Sequence, residues 1–285
     1  GSIKNIPKKA TFHKIDISNR KKLDKIFNKK KYDIVFHFAA LINNEESIEY
    51  PKKYFENNFI KGKIFIENCI KNKVNKFIYS STAAVYGNKN KQVNEKDDLK
   101  PMSPYSKSKL KLENFLIKKK KNIRCIILRY FNVAGSDKKL RCGFNVKKGY
   151  NLILNLCNAV FKKKIFIING GDYNTKDGTT IRDYIHVEDL AKIHLLSANL
   201  ILKKKMFKIL NCGYGYGFSV KEILKKFNLI SKNKVNYKIG KRRKSDIVIS
   251  ISNPKKLIKL TNWKPNYNDL SYLLKSSLDW YKKNI

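Results

Sequence analysis

The chain has 285 residues, 42% hydrophobic and 30% charged, enough apolar material for a full core in one large or two small domains, which excludes a disordered chain. Its 63 Lys and Arg against 22 Asp and Glu give a formal net charge of +41, a balance that favours anionic ligands. No apolar run approaches the roughly 18 residues that a bilayer-crossing helix needs and no basic-then-apolar leader opens the chain, so a cytoplasmic protein with no membrane partner is expected.

The lysines come in short runs along the whole chain, at 29–31, 118–121, 162–164 and 203–205, mixed with many Asn and Ile as AT-rich codon usage produces. They are not interleaved with aromatics, as a nucleic-acid surface requires, so no specific nucleic-acid partner is expected. Phosphate-bearing small substrates fit the charge equally well. The cysteines, Cys69, Cys125, Cys142, Cys157 and Cys212, are odd in number and form no C-x-x-C pair. With four scattered histidines besides, neither a disulfide framework nor a metal site is expected.

In chain order, Tyr32-Asp-Ile-Val-Phe-His-Phe-Ala-Ala40 reads as a buried parallel strand whose small residues face a ligand. Helix-spaced apolar residues follow over 51–71, then a strand over 77–81 ending in hydroxyls up to Thr82, a helix over 104–119 and a strand over 123–130. This alternation predicts an α/β fold with a doubly wound parallel sheet, which binds ligands at the carboxyl ends of its strands. The pattern loosens after Gly135 into what reads as a smaller, substrate-holding lobe. We expect a doubly wound, Rossmann-like domain over 1–133 and a mainly substrate-binding lobe over 134–285, some of whose segments return to the first. Gly213-Tyr-Gly-Tyr-Gly217 reads as a turn before a helix beginning near Ser219.

Tyr105 and Lys109 are four residues apart on the helix over 104–119, so they share a face, and the ammonium is expected to lower the phenol pKa. Thr82, at a strand end upstream, can hydrogen-bond the same substrate oxygen. The three make acid/base machinery for a redox step. An ordinary surface helix is the alternative, since Tyr237 and Lys241 repeat the spacing by chance.

The chain resembles the extended short-chain dehydrogenase/reductase family and, within it, the UDP-glucose (UDP-galactose) 4-epimerases. The resemblance rests on His37-Phe-Ala-Ala40, Tyr54-Phe-Glu-Asn-Asn58, Ser80-Ser-Thr-Ala-Ala-Val-Tyr-Gly87, Ser103-Pro-Tyr-Ser-Lys-Ser-Lys-Leu110, Leu128-Arg-Tyr-Phe-Asn-Val-Ala-Gly135, Asp177-Gly-Thr-Thr-Ile-Arg-Asp-Tyr-Ile-His-Val187 and Arg242-Arg-Lys-Ser-Asp246. Relatives begin with a strand, a glycine-rich turn, a helix and a second strand, and roughly 40 such residues are not found here. We therefore expect an N-terminally truncated Rossmann-like chain, whose hold on the cofactor is in question.

The resemblance implies NAD as cofactor, a UDP-sugar as substrate and a homodimer formed through the helix that bears Tyr105. It implies that Tyr105 removes the sugar 4-hydroxyl proton, that Lys109 binds the nicotinamide ribose and that Thr82 shares the contact to the 4-oxygen. For the cofactor it carries over Asp16 and Ile17 beside the adenine, Phe38, Ala39 and Ala40 at the strand end, and Asn57 and Ser80. For the substrate it carries over Asn132, Asn151, Arg182, Arg243, Asp246 and Ser250. Serine at 250, where some relatives have tyrosine, leaves room for an N-acetyl group, which extends the implied substrates to UDP-GlcNAc and UDP-GalNAc. A 4,6-dehydratase is the nearest alternative, but Ala83 and Ala84 replace the acid pair that follows the threonine there. A non-catalytic chain that binds nucleotide or polyanion is the other.

Overall fold

The computed structural model describes residues 3–146 and 151–285. Its strands are β1 (Val35–His37), β2 (Lys76–Thr82), β3 (Arg124–Tyr130), β4 (Asn132–Ala134), β5 (Phe166–Asn169), β6 (Ile181–Arg182), β7 (Tyr184–His186), β8 (Phe207–Cys212), β9 (Phe218–Ser219), β10 (Tyr237–Gly240) and β11 (Ile249–Ser250). Its α-helices are α1 (Arg20–Lys29), α2 (Asn44–Glu49), α3 (Pro51–Phe55), α4 (Lys61–Lys71), α5 (Pro104–Lys118), α6 (Leu152–Phe161), α7 (Val187–Lys203), α8 (Val220–Ser231), α9 (Lys255–Thr261) and α10 (Leu270–Lys283).

The largest sheet runs β1-β2-β3-β8, all parallel. Phe77, Tyr79, Cys125 and Ile127 pack on one face with Ile66 of α4 and Leu112 and Leu116 of α5. Ile78, Ile126, Leu128 and Leu210 pack on the other with Ile193 and Ile201 of α7 and Leu257 of α9. Burial on both faces is why these strands read as unbroken apolar runs rather than as alternation. The α/β fold with a parallel sheet is as expected.

The strand expected over 32–40 forms a ladder only at β1, which pairs with β2 and lies at the sheet edge. A strand exists by virtue of its neighbours. Thr11 to Ile15 joins no ladder, and Phe12 and Phe38 stand 53% and 58% exposed.

Where one helix is expected over 51–71, α3 and α4 are joined by a π-helical turn, Glu56–Ile60. Such a turn admits an extra residue and re-aims its neighbours. Asn58, 2% exposed, uses the turn to accept from Leu41 N at 2.8 Å and to donate to Leu41 O at 2.9 Å and Ser108 Oγ at 3.2 Å. It ties the segment after β1 to α5.

A second core, with Leu154, Leu156, Phe227, Leu274 and Tyr281, joins α6, α8 and α10. Beside it β6 lies between β9 and β11 and β4 pairs with β7, which puts Ser250 opposite Arg182. The glycine turn is where the sequence placed it, ahead of α8, which a Ser219–Glu222 capping box starts. Tyr237 belongs to β10, in extended backbone, so its spacing to Lys241 gives no shared helical face.

Candidate active site

Helix α5 starts sharply because Ser103 and Ser106 cap each other in a capping box and Pro104 occupies the first turn. That start sets the phase of the helix. Tyr105 falls in the first turn and Lys109 one turn later, against β2. The strand ends at Thr82, whose Oγ1 accepts from Ala84 N at 3.2 Å. With its oxygen engaged in the cap, the Thr82 hydroxyl keeps its proton to donate. Thr82, Tyr105, Asn132, Arg182, Asp246 and Ser250 line one cavity of about 220 Å³.

Burial raises the Tyr105 phenol above its ordinary value, with the Thr82 hydroxyl pulling the other way. Burial lowers Lys109 to about 7, opposed by the Glu113 carboxylate. The expectation that Lys109 depresses Tyr105 is therefore corrected. Desolvation sets the direction at the phenol, where Thr82 is the group that opposes it, and the lysine is itself close to losing its charge at neutral pH.

Arg182 does not pair with Asp183 or Glu188, two acids close to it in sequence. Its Nη2 lies 2.8 Å from Asp246 Oδ1, and its Nη1 donates to the carbonyls of Ile181 and Val248. Asp183 is fully buried and serves the backbone, accepting from Tyr214 N, Gly215 N, Ser252 N and Ser252 Oγ. Asn132, Asn151, Arg182, Arg243 and Asp246 line a neighbouring cavity of about 260 Å³, which shares Asn132, Arg182 and Asp246 with the first. Asn151 is also the cap of α6, accepting from Leu154 N at 2.8 Å, so its amide nitrogen is the end left for a ligand. All six residues expected on the substrate side thus fall on a recess of two adjoining cavities that share three wall residues.

The residues expected on the cofactor side lie around the carboxyl ends of β1 and β2. Phe38, Ala39 and Ala40 follow β1, and the two alanines leave its backbone open to a ligand. Ser80 Oγ donates to His37 O at 3.0 Å, and Asn57 Nδ2 to Asn58 Oδ1 at 3.0 Å. Asp16 is held by Lys61, whose Nζ lies 2.6 Å from Oδ2, and its carboxyl is well below the usual range chiefly for that reason. Lys61, the first residue of α4, thereby fastens the Asp16–Ile17 turn to that helix. This strand-end cradle and the buried Lys109 fit a dinucleotide, although no glycine stands between Ser2 and Lys61 to form a phosphate turn.

Sequence reasoning missed a buried network beneath the site. Arg129 Nε and Nη2 donate to Glu113 at 3.2 and 2.7 Å, Ser81 Oγ donates to Glu113, and Arg129 Nη1 donates to Tyr86 Oη at 2.9 Å. Two signals were available: an arginine inside an apolar strand, and a glutamate four residues after Lys109. It also missed Tyr130. His194 Nδ1 lies 2.8 Å from the Leu190 carbonyl, which only accepts, so Nε2 is the acceptor and Tyr130 Oη donates to it at 2.5 Å. Tyr130 lines the cavity beside Tyr105 but has committed its proton elsewhere.

A sequence model of the NAD dependent epimerase/dehydratase family matches residues 2–213. A UDP-glucose 4-epimerase of Dictyostelium discoideum is 37% identical over 92% of this chain and 78% of its own length. The UDP-glucose 4-epimerase of Bifidobacterium longum, solved in complex with NAD+ and UDP, superposes with a TM-score of 0.90 at 32% identity, over 95% of this chain and 83% of that one. The UDP-Glc/GlcNAc 4-epimerase of Campylobacter jejuni gives 0.82 at 37% identity, over 97% and 85%. The match over most of the chain, and the agreement in fold with the parallel sheet and strand-end site described above, have one reading: the chain belongs to the NAD dependent epimerase/dehydratase family.

Proposed function

We propose that this chain interconverts UDP-hexoses by epimerisation at C4, with NAD as cofactor and UDP-glucose/UDP-galactose as the substrate pair. The observation that carries the reading is that the cavity of Thr82 and Tyr105 and the cavity of Arg243 have Asn132, Arg182 and Asp246 as common walls. Tyr105 takes the proton of the sugar 4-hydroxyl, and Thr82 donates a hydrogen bond to the same oxygen. Lys109, which burial brings close to losing its charge at neutral pH, is the contact to the cofactor ribose. Bound NAD supplies hydride acceptance and return at C4. Asn132, Asn151, Arg182, Arg243 and Asp246 hold the nucleotide, the guanidinium groups suiting a diphosphate. Asp16, Ile17, Phe38, Ala39, Ala40, Asn57 and Ser80 are the proposed cofactor contacts.

Ala83 and Ala84 also line the cavity, and neither can move a proton, which speaks for epimerisation over dehydration. Ser250 is small and half-buried beside Arg182 and supports a wider pocket that takes UDP-GlcNAc and UDP-GalNAc as well. The two cores support a cofactor part over 1–133 and a mainly substrate part over 134–285, with α7, β8 and α9 returning to the first. A homodimer through α5 and a cytoplasmic location belong to the same proposal. Free cysteines, four of the five buried, support a reducing compartment.

The test is to denature the purified protein, assay released NAD(H) per subunit, and then follow UDP-galactose conversion to UDP-glucose by the native protein. Near-stoichiometric cofactor and turnover support the reading. Conversion absent even with NAD added in excess would leave a chain that binds nucleotide without catalysis. Turnover of UDP-galactose with none of UDP-GalNAc would sink the wider pocket alone.

A further inference from the structure

The loop after β10 carries four successive cations, Lys241, Arg242, Arg243 and Lys244, and it faces α2 across a further cavity that shares Arg243 and Asp246 with the recess. Helix α2 has six residues yet holds Glu45, Glu46 and Glu49, three of only 22 acids in the chain. These acids do different things. Glu46 is engaged on its own side, accepting from Lys53 Nζ at 2.6 Å and Tyr54 Oη at 2.7 Å. Glu45 instead reaches across this further cavity, its Oε1 2.8 Å from Arg243 Nε. The neighbouring Asn44 Nδ2 donates to Ser245 Oγ at 2.9 Å, a second strap between the same two segments.

Arg243 has a second partner at the same Nε edge. With the Asn169 amide turned so that its oxygen faces the guanidinium, that oxygen accepts from Arg243 Nη2 at 2.9 Å and Nε at 3.1 Å. Asn169 and Arg243 both line the larger cavity. The Nε edge of the guanidinium is therefore shared by an amide of the cavity wall and a carboxylate brought from another part of the fold. Arg182 differs, since its partner Asp246 also lines the recess and both side chains are only 15% exposed.

We propose that Glu45 is a built-in competitor for Arg243: its carboxylate occupies the guanidinium that the diphosphate of the sugar nucleotide takes, so the contact opens on binding and re-forms on release. This rests on the reading of Arg243 as a diphosphate ligand. Carboxylate and phosphate seek the same forked donors, and one guanidinium edge does not serve both fully. Glu45 thus sets how tightly nucleotide is held and how readily it leaves, and has no part in the chemistry at C4. The pair is 40% and 54% exposed, so solvent limits the effect to about two- to fivefold in affinity.

The experiment titrates UDP into the purified protein and compares Glu45→Gln, Glu49→Gln, Arg243→Ala and the Glu45→Gln/Arg243→Ala double variant, with KM and kcat for UDP-galactose alongside. Expected are UDP binding two to five times tighter in Glu45→Gln, a lower KM with no rise in kcat, and no effect of Glu45→Gln once Arg243 is alanine. Glu49→Gln controls for the general attraction of a less acidic surface and is expected to change UDP affinity less. UDP binding by Glu45→Gln no tighter than wild type, equal to that of Glu49→Gln, or equally improved without Arg243 would each overturn the competitor role. If Arg243→Ala weakens UDP while Glu45→Gln leaves it unchanged, the role of Glu45 alone falls. If Arg243→Ala binds UDP as well as wild type, or wild type does not bind UDP, the diphosphate reading and the competitor fall together.

Discussion

Lys109 holds its ammonium 4.5 Å from the ring centroid of Tyr79 while only 3% exposed. Burial lowers its pKa to about 7, whereas in the unfolded chain it titrates near the ordinary value of about 10.4. Between those values the unfolded state carries the additional proton, so stability rises with pH across that window. The cost of burying the charge is present in full below pH 7 and fades above it. Lys109→Met is expected to raise the thermal midpoint at pH 6.5, to narrow its lead over wild type by pH 9, and to remove turnover. Midpoints that stay parallel for the two proteins from pH 6.5 to 9 would refute the assignment.

Tyr105 and Thr82 bear on the same substrate oxygen in the proposed reaction, but only Tyr105 exchanges a proton there. Tyr105→Phe is expected to lower kcat about 10²- to 10⁴-fold, the usual contribution of general acid/base catalysis. UDP affinity should hardly change, because Arg182, Asn132 and Asn151 are untouched. Thr82→Val removes a hydrogen bond and the cap on Ala84 N, so a smaller loss is expected. Steady-state kinetics together with UDP titration separate the two, and equal losses in kcat would argue against the division of labour.

Glu113 and Arg129 are 0% and 1% exposed, and the pair joins α5 to the strand next to the one that ends in Thr82. Removing one partner leaves a buried charge, which typically costs about 3–5 kcal/mol. Arg129→Met and Glu113→Leu should each lower the urea midpoint steeply. The double variant should recover most of the loss, though not all, since Ser81 and Tyr86 lose hydrogen-bond partners too. Additive losses in the double variant would mean that the pair is not the unit of stability.

Much of this was legible in the sequence because it depends on local rules. Unbroken apolar runs marked β2 and β3, Pro104 marked the start of α5, and hydroxyls at a strand end marked Thr82. What escaped depends on pairs distant in the chain. The short β1 and the ladder-free stretch near Phe12 follow from a lack of pairing neighbours, which no local pattern records. The π-helical turn at Asn57 and Asn58 sits inside a regular helical periodicity, and only the contacts of Asn58 with Leu41 and Ser108 account for it. The direction of the Tyr105 shift was misread because spacing shows which groups are close, whereas burial decides the sign.

Gly213 illustrates how the fold supports the nucleotide side of the recess. A Cβ there would lie 2.4 Å from Asp183 Oδ2 and 2.5 Å from Ser252 Oγ. Asp183 cannot yield easily, because it is fully buried and fixed by three backbone N–H groups and the Ser252 hydroxyl. It also sits in chain between Arg182 and Tyr184, so any shift moves the guanidinium that faces the cavity. Gly213→Ala is expected to destabilise by about 1–3 kcal/mol, the usual cost of overpacking. It should also weaken UDP binding, since Arg182 moves with its neighbour. Asp183→Asn keeps the volume and leaves Gly213 in place, yet its amide offers one acceptor oxygen where the carboxylate offered two, so it should be destabilised without a clash. Chemical denaturation and UDP titration of both variants test the coupling. Full stability in Gly213→Ala would show that the turn has room the packing does not reveal, and normal UDP affinity in a destabilised variant would separate Asp183 from the site.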